Sequence, residues 1–152
     1  MDMGPNAWPD AATAVLVATT VLLIDQVTKL IALHGGTGNV WRNPDYAFGI
    51  VGGSATLLIV GAFGVLGAFL VVARTLATRF GISMLLPALV AGGALGNTLD
   101  RLRLGSVRDF MVTPWAIINV ADLAVAAGVI GLAIALAVRV PRLRMQPLST
   151  TR

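Results

Sequence analysis

Four long apolar runs alternate with polar stretches along this chain, and their spacing predicts its elements. The first run covers 11–33 and stays uncharged as far as Asp25, with Lys29 one helical turn beyond. The second, 55–73, holds no charge at all. At about 1.5 Å per residue it reaches roughly 28 Å, close to the ~30 Å hydrocarbon core of a bilayer. The third run covers 82–99 and the fourth 115–138. Runs of this length predict an all-α integral membrane protein, with four transmembrane helices in a single membrane domain over 1–152.

The polar stretches carry their own pattern. The connection 34–54 contains NVWRNPDYAFGIV, whose Val, Trp, Tyr, Phe and Ile predict a small extended or β segment near the headgroups. Pro44 forces Asn43 out of helical geometry. A loop this long in so small a membrane protein points to function rather than to a passive linker. The second polar connection is 100–114, and 139–152 is a basic tail. Arg74 and Arg79 are read as bracketing a short turn between the second and third helices. Gly61, Gly64 and Gly67 recur every three residues and are expected to line a close helix contact. Gly92, Gly93 and Gly96 should thin the far end of the third helix so that another backbone can approach. Trp115 is placed to anchor the fourth helix at the membrane interface.

Composition sharpens the picture. The 152 residues are 57% hydrophobic and 12% charged, with a mean hydropathy of +0.85. A net charge of +4 would point to nucleic acid in a soluble protein. Here the basic residues lie between apolar runs, where they set topology and meet lipid headgroups, so membrane lipids are expected as partners and nucleic acid is not. The tail and the Arg74–Arg79 turn hold six basic residues on one side, against five at Lys29, Arg42, Arg101, Arg103 and Arg108. If those five serve a site, the basic bias places both termini in the cytoplasm and both polar connections outside. Met1 to Asp10 has two acidic and no basic residues, unlike the start of a secretory signal peptide. With no cysteine and only His34, the chain offers no thiolate site, no HExxH metal helix and little for a Ser–His triad. No metal or cofactor is expected.

The remaining chemistry is carboxylate chemistry. Asp25, Asp45, Asp100, Asp109 and Asp122 all fall in the outer connections or the adjoining ends of the helices. Ionisable groups at such positions are expensive and are functional candidates by default. Asp25 and Lys29 are four apart and can pair on one helix face, whether as structure, as part of a site or as both. Two carboxylates close together cannot both ionise cheaply, so one holds a proton while the other acts as a base. Such a pair can activate water against a peptide carbonyl. Paired membrane aspartates also serve proton-coupled transporters, and these residues alone leave that alternative open.

Five motifs stand in order: Asp25-Gln-Val-Thr-Lys29, Asn43 with Ala47-Phe48, Gly96-Asn97-Thr-Leu-Asp100-Arg101, Gly105-Ser-Val-Arg-Asp109-Phe110 and Asn119-Val-Ala-Asp122. Together they resemble the signature set of signal peptidase II, the bacterial lipoprotein signal peptidase, over about residues 20–130. The resemblance implies a four-helix membrane aspartic endopeptidase in the bacterial plasma membrane. Such an enzyme cuts the signal peptide from a prolipoprotein just before a diacylglyceryl-cysteine, at the extracytoplasmic side. It further implies that Asp109 and Asp122 are the catalytic dyad and that Asp25, Lys29, Asn43, Asn97, Asp100, Arg101 and Asn119 shape the site. Asn97 and Asn119 can bridge carboxylates or substrate backbone without adding charge. Arg101 can clamp a carboxylate or a carbonyl, or simply pair with Asp100. The chain departs from the family at Asp45-Tyr46, where a small pair is usual, and at Trp115-Ala-Ile-Ile, where Trp-Pro and an aromatic are usual. The first departure bears on substrate range and leaves the dyad untouched.

Overall fold

A computed structural model describes residues 7–35, 40–44 and 55–144. Four helices dominate it: α1 (Ala7–His34), α2 (Ala55–Phe80), α3 (Leu85–Leu104) and α4 (Val120–Arg144). Within them, Ala11–His34, Val60–Phe80 and Val120–Arg139 are long and apolar enough to cross a membrane. The third predicted span does not join these three, because Asn97, Asp100, Arg101 and Arg103 lower the hydropathy of α3. α3 is nevertheless the centre of the assembly, packed chiefly against α4 and α1 and less against α2. Its buried face includes Pro87, Ala88, Val90, Ala91, Gly92, Gly93 and Gly96.

Close approach to α3 is what its glycines allow. A Cβ on Gly92 would lie 2.5 Å from the Ala18 carbonyl oxygen of α1, and one on Gly93 would strike the Ala121 carbonyl of α4. The expectation for this tract therefore holds. The expectation for α2 does not: a Cβ on Gly61, Gly64 or Gly67 would meet nothing within 4 Å. That stripe faces away from the bundle, as do Val60, Phe63, Val65 and Val72, all exposed. Their apolar surface suits lipid rather than a helix partner.

The helices end differently from the sequence expectation. α2 continues to Phe80, so Arg74 and Arg79 lie in its last turns and the chain turns at Gly81 to Met84 instead. α3 runs on through Asp100 to Leu104, where Gly105 closes it in a left-handed conformation (φ 69°) and donates its N–H to the Arg101 carbonyl at 3.0 Å. α4 starts at Val120, five residues later than predicted, because Ile117 and Ile118 are taken up in a strand pair and Asn119 caps the helix.

Extended structure occurs in both connections, not just the first. β1 (Trp41–Asn43) pairs antiparallel with β2 (Val107–Asp109), placing Trp41 opposite Asp109 and Asn43 opposite Val107. β3 (Met111–Val112) pairs with β4 (Ile117–Ile118). Between them Pro114 supplies the fixed φ of a tight turn, and the Thr113 N–H reaches the Ala116 carbonyl at 2.9 Å. Trp115 sits at the tip, 92% exposed, so it projects from a hairpin rather than opening a helix. Asp45 and Tyr46 lie outside the described residues.

Candidate active site

The NVAD stretch builds a helix start before it builds anything else. Asn119 is the N-cap of α4: its side-chain oxygen accepts the Asp122 N–H at 3.0 Å. Asp122 answers by accepting the Asn119 N–H on Oδ2, also at 3.0 Å. This is a reciprocal capping box with Asp in the place of the usual Glu or Gln. One Asp122 oxygen is thereby held by backbone, and Oδ1 is left to accept Asn97 Nδ2 at 2.8 Å. The spacing of Asn119 and Asp122 thus has a conformational cause as well as a chemical use.

β2 delivers the second carboxylate. Asp109 is buried, and its Oδ1 accepts Asn119 Nδ2 at 2.6 Å. Asn43, across the strand pair, donates to Oδ2 at 3.4 Å. The two carboxylates are joined by an amide chain, because Asn119 Nδ2 also reaches Asn97 Oδ1 at 3.1 Å. Burial pushes the Asp109 carboxyl above the ordinary carboxylate range. The hydrogen bond from Asn119 opposes that push, and the charge of Asp122 adds to it.

Beneath the amide chain lies a buried ionic layer. Lys29 and Asp25, both fully buried, pair at 2.8 Å within α1. Lys29 Nζ also meets Asp100 at 3.2 Å and Asn97 Oδ1 at 3.0 Å, so its three protons have three acceptors. Because Lys29 fixes the oxygen of Asn97, the amide nitrogen must face Asp122. Asp25 Oδ1 accepts the Ala121 N–H at 3.0 Å, tying α1 to the first turn of α4. Arg108 grips Asp100 with Nη2 at 2.7 Å and Nε at 3.2 Å.

Eight of the nine residues singled out in the sequence meet here: Asp25, Lys29, Asn43, Asn97, Asp100, Asp109, Asn119 and Asp122. Arg101 stands at the edge, its Nη1 donating to the Asn97 carbonyl at 3.4 Å. Asp100 is taken up by Lys29 and Arg108, which gives it a different cation from the neighbouring arginine first considered. Gln26 and Arg108 stand inside the quoted motifs, and Arg108 was counted with the basic residues of the outer side, but neither was named among the site residues. Each is the immediate chain neighbour of a site aspartate, Asp25 or Asp109. The assembled pair of carboxylates can share a proton, and the amides fix their orientation without adding charge.

A family model described as "Signal peptidase (SPase) II" matches residues 17–138. A lipoprotein signal peptidase of Methylobacterium radiotolerans is 36% identical over 140 residues, covering 77% of this chain and 81% of the relative. One from Syntrophus aciditrophicus is 36% identical over 143 residues, covering 78% and 88%. A solved bacterial membrane enzyme superposes with a TM-score of 0.74 at 28% identity, covering 91% of this chain and 95% of the other.

Proposed function

The chain belongs to the signal peptidase II family, and from that premise we propose that Asp109 and Asp122 form the catalytic dyad of an aspartic peptidase. It is a multi-pass bacterial membrane protein and a peptidase that acts on prolipoproteins. The finer reading is that it cuts the peptide bond before a diacylglyceryl-cysteine, with no metal or cofactor. α3 completes a four-span bundle in this reading, and the site opens at the extracytoplasmic end. One observation carries the dyad: Asn97 and Asn119 connect the two carboxylates, at 2.8 Å to Asp122 and 2.6 Å to Asp109.

Asp109 is the member that holds the proton, since burial favours its neutral form. Asp122 takes a proton from water as the water oxygen bonds to the scissile carbonyl carbon. Asp109 gives its proton to the carbonyl oxygen, producing a neutral gem-diol. Asp122 then protonates the amide nitrogen as the C–N bond breaks, and a diol proton returns to Asp109. The products are the signal peptide acid and the free amine of the cysteine. Asn43, Asn97 and Asn119 keep the carboxylates oriented throughout. The transporter alternative gains no support from the family or the fold.

Asp109→Asn and Asp122→Asn are each expected to abolish cleavage of a lipidated precursor while the purified protein stays folded. Asn keeps the shape but cannot serve as a base or share a proton. Cleavage at the wild-type rate by either variant would remove the dyad assignment.

A further inference from the structure

Arg108 stands next to the proposed Asp109 in β2, where neighbouring side chains point to opposite faces. Its guanidinium bridges both oxygens of Asp100 and also donates to Gln26 Oε1 at 3.0 Å. Its own N–H reaches Asp100 Oδ2 at 3.1 Å, so side chain and backbone fasten on one carboxylate. Gln26 closes the ring: its Nε2 lies 3.1 Å from Asp100 Oδ1, 3.1 Å from Asp25 Oδ2 and 3.3 Å from the Gly96 carbonyl. α1, α3 and β2 therefore converge on this pair of side chains.

We infer that Arg108 and Gln26 form a positioning clamp that fixes the strand carrying Asp109 against α1 and α3. The inference rests on the dyad reading. Two routes carry its effect. The clamp sets the register of β2, and with it the place of the Asp109 carboxylate. It also shares the charge of Asp100 between two cations. Without Arg108, Asp100 would draw Lys29 toward itself and away from Asn97, whose amide holds Asp122. Asp25, Lys29, Asp100 and Arg108 make two anions and two cations, a buried set whose balance fails when one member is removed.

The test measures kcat and KM for a lipidated precursor, with melting of the same purified samples in detergent. Arg108→Gln is expected to lower kcat about 100-fold, the scale at which a small misplacement of a reacting group acts, with KM within about 2-fold of wild type. Arg108→Lys keeps the charge but not the two-pronged grip, and should recover about a tenth of the wild-type kcat. Gln26→Met strands no charge and keeps the proposal testable if Arg108→Gln does not fold. It should lower kcat about 10-fold at unchanged KM. A wild-type kcat in folded Gln26→Met or Arg108→Lys overturns the clamp, as does a rise in KM alone, which would mean substrate contact. Asp109→Asn and Asp122→Asn run beside these variants. If they are inactive while the clamp variants behave as wild type, the clamp falls and the dyad stands. If they cleave, the dyad falls first.

Discussion

At the scale of single residues, Asp109 and Asp122 differ in what surrounds them. Asp122 is half-buried and takes up a helix N-terminal N–H, whereas Asp109 is buried on a strand and accepts side-chain amides. The raised pKa of Asp109 has a thermodynamic consequence with a definite sign. The native state holds that proton at a pH where the unfolded chain, titrating near 3.8, has released it. Stability from this group is therefore full below the unfolded value and falls as pH rises through the folded one. Asp109→Asn should melt higher than wild type at neutral pH and lose that advantage at about pH 3, below the ordinary carboxylate range. A melting difference that grows on acidification would contradict the assignment. In the proposed dyad, where Asp109 is the acid, loss of the same proton is expected to set the alkaline limb of the cleavage profile.

At the scale of elements, the sequence was most legible where one rule acted alone. The uncharged run of 55–73 predicted α2, and Gly92, Gly93 and Gly96 predicted a close approach, because hydropathy and side-chain size are local properties. Gly61, Gly64 and Gly67 repeat every three residues yet face open space, since spacing fixes a helix face and not what stands opposite it. β2 to β4 were missed because segments of two or three residues carry too little period to read. The motif residues were legible as a set through family resemblance, yet the bond from Asp25 to Ala121 crosses the fold and no spacing encodes it. The two glycine tracts make a paired prediction. A Cβ on Gly96 would lie 2.6 Å from Asp25 Oδ2, so Gly96→Ala should cost about 1–3 kcal/mol of overpacking and disturb the ionic layer. Gly64→Ala meets nothing and should leave stability unchanged or raise it by up to about 1 kcal/mol. Equal melting shifts in the two variants would show that the tracts are not distinguished as described.

At the scale of the whole molecule, the two ends of the bundle divide the work. The last turns of α1 and α3 meet the first turn of α4 at the end that holds the carboxylates. At the other end Arg139 of α4 reaches the Phe80 carbonyl at the close of α2, at 3.4 Å. With the basic residues Arg74, Arg79 and Arg139 gathered there, we expect that end in the cytoplasm. Trp115, on the hairpin beside β2, and Arg79, at the end of α2, are both exposed and suit a labelling test. A membrane-impermeant thiol reagent on intact cells should modify Trp115→Cys and leave Arg79→Cys untouched. The reverse pattern would invert the orientation.

The pairing of Asp25 with Lys29 also bears on how the protein is made. A chain synthesised from its N-terminus presents Asp25 to the membrane long before its partner on α4 exists, for the Ala121 N–H lies 96 residues downstream. Gly96, Asn97 and Asp100 are likewise still to come. Only Lys29, four residues on and 2.8 Å away in the finished fold, is translated in time to neutralise the acid during passage. The Asp25–Lys29 pair is therefore expected to enter the membrane with its two charges matched, and in the finished fold the same ammonium is shared with Asp100 and Asn97 of α3. Lys29→Met should accordingly reduce the fraction of newly made chains that enter the membrane, read by alkaline extraction after a short pulse label. Normal entry followed by later degradation would instead place the role of Lys29 wholly in the folded state.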